Sequence, residues 1–106
     1  YRPLEAIENL KAVEKFDIET GKVNVTISWT PVKNAEAYTI ARKIGDGEFE
    51  TLKSIMIEEG TSAETVFVDS TTEINVKYTY KITAASPFRG TVTRTLDFER
   101  SISGNE

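Results

Sequence analysis

Glu48 and Glu50 flank Phe49 two positions apart, a spacing that puts both carboxylates on one face of an extended chain. Paired carboxylates are what glycoside hydrolysis uses, one protonating the leaving oxygen while the other acts as nucleophile or base. They need a cleft between them, and a short strand behind the turn Gly45-Asp46-Gly47 offers none. A second gathering of oxygens is Glu58, Glu59 and Glu64, with Asp69 further on. Calcium takes six or more oxygens, usually from closely alternating Asp and Asn residues, and this stretch lacks that alternation. It reads as a solvated acidic turn. The chain has no histidine and no cysteine, which removes the usual general base, the soft metal ligands and the thiol nucleophile together. No catalytic residue, metal site or cofactor site is expected, and the chain is not expected to be an enzyme.

The aromatic residues offer a different chemistry. Trp29 with Tyr78 and Tyr80 has the composition of a sugar-stacking platform, but all three alternate in phase with Val, Ile and Ala, as core residues do. Phe88 lies outside any alternating run, in the turn Ser86-Pro87-Phe88-Arg89-Gly90. An aromatic beside an arginine is the composition of an interface anchor, so Pro87, Phe88 and Arg89 are the candidate partner-binding residues. The bland reading is that Phe88 folds back over the end of the core. Asn24-Val25-Thr26 matches a glycosylation acceptor, but in mid-strand it reads as coincidence.

The elements that carry these residues are strands. From Lys22 to Pro31, Val23, Val25, Ile27 and Trp29 alternate strictly with Asn24, Thr26, Ser28 and Thr30, and Pro31 ends the ladder because it has no N–H to donate. From Val76 to Ala84 the inward set is Val76, Tyr78, Tyr80, Ile82 and Ala84. Between them, a strand from Glu36 to Ile44 turns Tyr38 and Ile40 inward, and Gly45-Asp46-Gly47 marks a hairpin. It leads into a short strand from Glu48 to Leu52 that offers Phe49 and Leu52 to the core. A fifth strand runs from Thr65 to Asp69 and a last one from Thr91 to Ile102. Leu4, Ile7, Leu10 and Val13 recur at helical spacing, yet a lone helix of this length is marginal in water, so a first strand is placed at about Glu8 to Val13 with Phe16 to Lys22 as a long connection. Residues 53–64 stay open, with Ile55 to Ile57 compatible with added strand. Seven strands at this spacing predict an all-β, antiparallel sandwich of two sheets. Its core includes Trp29, Tyr38, Ile40, Tyr78, Tyr80 and Ile82.

Composition sets the outer bounds. A chain of 106 residues has room for one domain, with a folded body over about residues 7–102 and frayed ends. Without cysteine, packing alone must hold it. Its 13 basic and 17 acidic residues give a net charge of −4, which repels phosphate backbones, so no nucleic acid is expected as partner. No apolar run approaches the ~20 residues that span a bilayer, so no membrane insertion is expected. The start Tyr1-Arg2-Pro3-Leu4 lacks a signal-peptide layout, and the chain reads as one part of something longer.

In order and spacing these pieces resemble a bacterial fibronectin type III domain, over nearly the whole chain. Ile7-Glu8-Asn9-Leu10 is similar to the family's lead into its first strand, Ser28-Trp29-Thr30-Pro31-Val32 to the second-strand signature, and Ala35 to Arg42 to the third strand. Phe67-Val68-Asp69 and Tyr78 to Ala84 resemble the fifth and sixth, with Tyr78 in the place of the tyrosine-corner residue. The chain departs from the family in lacking the usual Pro-Gly or Asn-Gly turn before Tyr78, in its long 53–64 segment, and in having no Arg-Gly-Asp in the 85–90 loop. The resemblance implies a seven-stranded, immunoglobulin-like antiparallel sandwich with sheets of three and four strands, and a non-catalytic module that spaces and orients neighbouring domains of an extracellular or cell-surface protein, often a polysaccharide-degrading enzyme. It also leaves room for a module that recognises a protein or glycan through residues 86–90.

Overall fold

The computed structural model describes residues 2–58 and 64–105. Seven strands follow one another: β1 (Lys11–Asp17), β2 (Lys22–Ser28), β3 (Ala37–Ile44), β4 (Glu50–Met56), β5 (Val66–Asp69), β6 (Lys77–Ser86) and β7 (Gly90–Glu99). They form a three-stranded sheet in the order β1-β2-β5 and a four-stranded sheet in the order β4-β3-β6-β7. All the strand pairings are antiparallel. The chain is therefore an all-β, immunoglobulin-like sandwich with sheets of three and four strands.

Period-two alternation produces this fold, because each strand has one face that must leave water. In β2, Val23, Val25 and Ile27 are buried between the sheets, and in β6 so are Tyr78, Tyr80, Ile82 and Ala84. Register then stacks the two central strands of the larger sheet, pairing Tyr38 with Ala84 and Ile40 with Ile82. Burying one such aliphatic side chain is worth ~1.5–3 kcal/mol, so a one-residue slip that turned either set outward would reverse most of the driving force. Trp29 lies just past β2 but keeps its phase, and it packs edge-on against Tyr38 with ring centroids 5.4 Å apart.

Several boundaries differ from the sequence reading. The first strand is Lys11–Asp17 instead of Glu8 to Val13, so Phe16 and Asp17 belong to a strand and the connection shrinks to a tight turn closed by Gly21 N donating to Asp17 O. The segment before it is extended and packed, with Leu4 and Ile7 buried, so the folded body begins ahead of residue 7. Asn9 has a φ of 57°, which Asn tolerates better than most residues, and there the segment is tied to the chain after β2. Glu8 O accepts from Thr30 N, and Asn9 Nδ2 donates to Thr30 Oγ1.

The fourth strand is Glu50–Met56 instead of Glu48 to Leu52, which brings Ile55 and Met56 into it. Phe49 does not reach the core. A bulge opposite Ile40 and Ala41 makes Leu52 the extra residue of β4, so Leu52 packs inward while Phe49 stays on the outer face. There Lys81 Nζ lies 4.1 Å and Lys43 Nζ 5.3 Å from its ring centroid. The last strand is Gly90–Glu99 rather than Thr91 to Ile102, and the tail beyond it is tied down. Glu14 accepts from the backbone N–H groups of Ser101 and Ile102, and Asn105 N donates to Gly21 O.

The two termini lie at opposite ends of the body. Arg2 O accepts from Arg89 at the β6–β7 turn. β6 runs ten residues from that turn back to Lys77, whose carbonyl meets Gly45 N and whose cross-strand partner is Glu99. The tail departs from Glu99 and reaches Gly21 at that far end. The long dimension of the molecule is 50 Å, against 31 and 20 Å across.

Candidate functional site

Two places concentrate polar chemistry, one inside the sandwich and one at its tip. The interior cluster starts from Asp69 at the end of β5. It pairs with the inward-facing Val25, so its carboxylate points between the sheets, where it is only 3% exposed. From the other sheet come Arg42 and Tyr80, direct cross-strand partners on β3 and β6. Arg42 Nη1 and the Tyr80 hydroxyl both donate to Asp69 Oδ2 at 2.6 Å. Thr71 donates to Oδ1 through its backbone N at 2.9 Å and its hydroxyl at 2.7 Å.

A carboxylate offers about four acceptor positions, and all four are taken. Burial alone would raise the Asp69 carboxyl, but the bonds from Tyr80, Thr71 and Arg42 outweigh it and hold it below its ordinary value. For Tyr80, burial and the adjacent carboxylate act together and raise the phenol well above its usual range. Arg42 is held protonated by Asp69 against the opposing effect of burial. Its guanidinium also lies 5.0 Å from the Tyr78 ring centroid. With every oxygen engaged, Asp69 has nothing left for a substrate or an ion, and the cluster joins the two sheets.

In the sequence, Asp69 reads as one of the acidic residues near a loop, and Arg42 does not stand out as its partner. The available signal was phase: Tyr38, Ile40 and Arg42 alternate on one side of β3, so the arginine had to point inward and find an anion.

The tyrosine predicted to form a corner is buried, and its hydroxyl accepts from Glu73 N at 2.7 Å. Tyr38 does the same at the other end of the core, accepting from Val32 N at 2.8 Å. Trp29, Tyr38, Ile40, Tyr78, Tyr80 and Ile82 are all less than 5% exposed. Trp29 therefore offers no ring face for a sugar.

Glu48 lies in the exposed turn before β4 and Glu50 at the start of that strand. Glu59 lies outside the described residues. Among the described residues, no three Asp, Glu, His or Cys side chains are placed to hold a metal ion.

At the tip, Ser86 pairs with Gly90 and leaves Pro87, Phe88 and Arg89 as a three-residue turn. Gly90 takes a φ of 81°, which closes such a turn and which a side chain would oppose. Phe88 does not fold back over the core, as the bland reading had it, but is 80% exposed. Arg89 turns toward the N-terminal segment, its Nη1 donating to Arg2 O at 3.0 Å. Ser86 is buried and its hydroxyl donates to Glu36 Oε2. A widely open depression of ≈ 580 Å³ lies at the other end of the larger sheet, beside Gly45 and Asp46.

No protein-family model and no curated protein sequence matches the chain. Among solved structures, the chain is similar to a Fn3-like protein from Clostridium thermocellum, with a TM-score of 0.60 and 18% sequence identity over 94% of this chain and 97% of that one. That likeness gives a fibronectin type III-like fold and nothing about activity.

Proposed function

We propose that this chain is a non-catalytic, fibronectin type III-like spacer module that sets the distance and direction between its neighbours in a larger bacterial protein. The observation that carries the reading is the placement of Arg2 and Asn105 at opposite ends of a 50 Å body, each tied to it by a hydrogen bond. A chain held in this way enters at one end and leaves at the other along a fixed direction. The Asp69 carboxylate, buried with all its acceptor positions taken, supports the non-catalytic part of the reading. A secreted or surface location, and neighbours that act on polysaccharides, come from the family resemblance alone.

The test is to fuse a fluorescent donor ahead of the chain and an acceptor after it, and to measure the spread of transfer efficiencies molecule by molecule. A rigid spacer gives one narrow distribution. A distribution as broad as that of a Gly/Ser linker of equal residue number would overturn the reading.

The 80% exposure of Phe88 favours a second reading, recognition of a protein or glycan through Pro87, Phe88 and Arg89. Loss of saturable binding in Phe88→Ala, with folding intact, is the result that reading requires.

A further inference from the structure

We propose that Glu14 latches the segment after β7, so that the direction in which the chain leaves the body depends on one carboxylate and can be released without unfolding the sandwich. The two ends of the module are held by different forces. Ahead of β1, Leu4 and Ile7 are buried in the core, and Arg94 Nη1 donates to Ile7 O. Detaching that segment would expose core side chains to water, so the way in belongs to the fold.

The segment after β7 is held by polar bonds. Arg100 roots it: the side chain is buried, donating through Nη1 to Thr72 O and through Nε to Ile102 O. Beyond Arg100, Ser101, Ile102, Ser103 and Asn105 are exposed. Their hold on the body has two points, and two points fix a line.

The first point is Glu14, on the outer strand of the smaller sheet. Its carboxylate accepts from Ser101 N at 3.0 and 3.2 Å, from the Ser101 hydroxyl at 3.0 Å, and from Ile102 N. Successive backbone N–H groups that close on one anion make a concave donor surface, and bonds to an ionised acceptor are about twice as strong as neutral ones. The second point is Gly21 in the β1–β2 turn, whose carbonyl accepts from Asn105 N at 2.7 Å. A Cβ at Gly21 would lie 2.7 Å from Asn105 Nδ2, so the segment crosses that turn where a larger residue would push it away.

Glu14 is itself exposed, so letting go replaces its bonds with hydration and leaves the apolar core covered. Contacts of this kind open locally at far lower free energy than the whole fold. The latch deepens the spacer reading, on which its use between neighbours rests: stiffness at the exit becomes separable from stability of the body.

Amide hydrogen exchange on the native chain and on Glu14→Ala tests it. In the native chain the Ser101 and Ile102 amides are expected to exchange well below the rate of a free peptide. Glu14→Ala should speed both by roughly tenfold or more, while the core amides of Ile40 and Ile82 and the urea midpoint stay unchanged. Glu14→Gln keeps one acceptor oxygen and loses the charge, so it should fall between the two. With donor and acceptor fused to the two ends, Glu14→Ala should widen the narrow distribution of the native chain.

Native amides that exchange at the free-peptide rate, or a Glu14→Ala variant that leaves their exchange unchanged, would overturn the proposal. A midpoint that falls along with core protection would also overturn it, by making the segment part of the cooperative body. Faster exchange with an unwidened distribution would remove Glu14 from control of direction. A native distribution that is broad, while both amides are protected and respond to Glu14→Ala, would overturn the spacer reading alone.

Discussion

The Tyr80 hydroxyl donates to Asp69 Oδ2 at 2.6 Å from the opposite sheet, and this bond joins the two layers at the level where the apolar core gives out. Arg42 meets the same oxygen. A buried ion pair of this kind adds little net stability over a well-packed apolar substitute, but losing one partner strands the other. It acts as a registration device: only one stacking of β5 over β3 and β6 satisfies all four bonds to Asp69.

Asp69→Asn should therefore cost about 3–5 kcal/mol at neutral pH, measured by urea unfolding. The folded carboxyl titrates below its ordinary 3.8, so on acidification the unfolded chain takes up the proton first. The contribution is whole above about pH 5 and is lost as pH falls through the folded value. The gap between native and Asp69→Asn proteins should be flat near neutrality and narrow in acid. An identical gap at both ends would show that the charge of Asp69 is not what matters.

Tyr80 gives the opposite limb. Its phenol is raised in the folded state, so above about pH 10 the unfolded chain ionises first and stability falls as pH rises. Tyr80→Phe should lose about 1.5–3 kcal/mol at neutral pH and show a shallower alkaline decline than the native protein. Parallel alkaline curves would contradict this assignment.

Tyr38→Phe and Tyr78→Phe each keep the ring and remove a hydroxyl that accepts from a backbone N–H, of Val32 and Glu73 respectively. Each should cost about 1 kcal/mol, rising to about 3 where the stranded N–H stays buried, with the larger loss expected at Tyr38. Denaturation midpoints of the two variants decide this, and a variant as stable as the native chain would show that its bond contributes nothing.

Trp29→Ala should cost on the order of 3–5 kcal/mol, since the indole is 4% exposed and packed on Tyr38. Native fluorescence should be blue-shifted relative to the denatured chain. Emission typical of free indole, together with an unmoved midpoint in the variant, would remove Trp29 from the core.

Phe88→Ala, by contrast, should change the unfolding free energy by no more than about 0.5 kcal/mol, because the ring is 80% exposed and covers no core residue. A loss of 2 kcal/mol would mean that Phe88 caps the sandwich after all.

How much of this was legible follows from periodicity. Val23, Val25, Ile27, Tyr78, Tyr80 and Ile82 declared their burial because residues two apart on a strand share a face, and that rule is local. The sheet sizes and the corner place of Tyr78 came from the resemblance to fibronectin type III domains, whereas strand number came from the same rule combined with turn residues. The β4 error shows its limit: Phe49 and Leu52 differ in parity, so one strand cannot turn both inward unless a bulge intervenes. The bulge sent Leu52 in and left Phe49 out under Lys43 and Lys81.

By itself, then, the sequence determined which faces leave water, and with them the sandwich, because burial of alternating side chains is decided within each strand. The tertiary structure alone decided which polar groups meet. Arg42 and Asp69 are 27 residues apart, and only the stacking of one sheet on the other brings them to 2.6 Å. It alone also left Phe88 in solvent, since the turn that holds Phe88 is anchored to Glu36 and Arg2, residues 50 and 87 positions from Ser86 and Arg89. Contacts of that range depend on the final three-dimensional register, which no local pattern encodes.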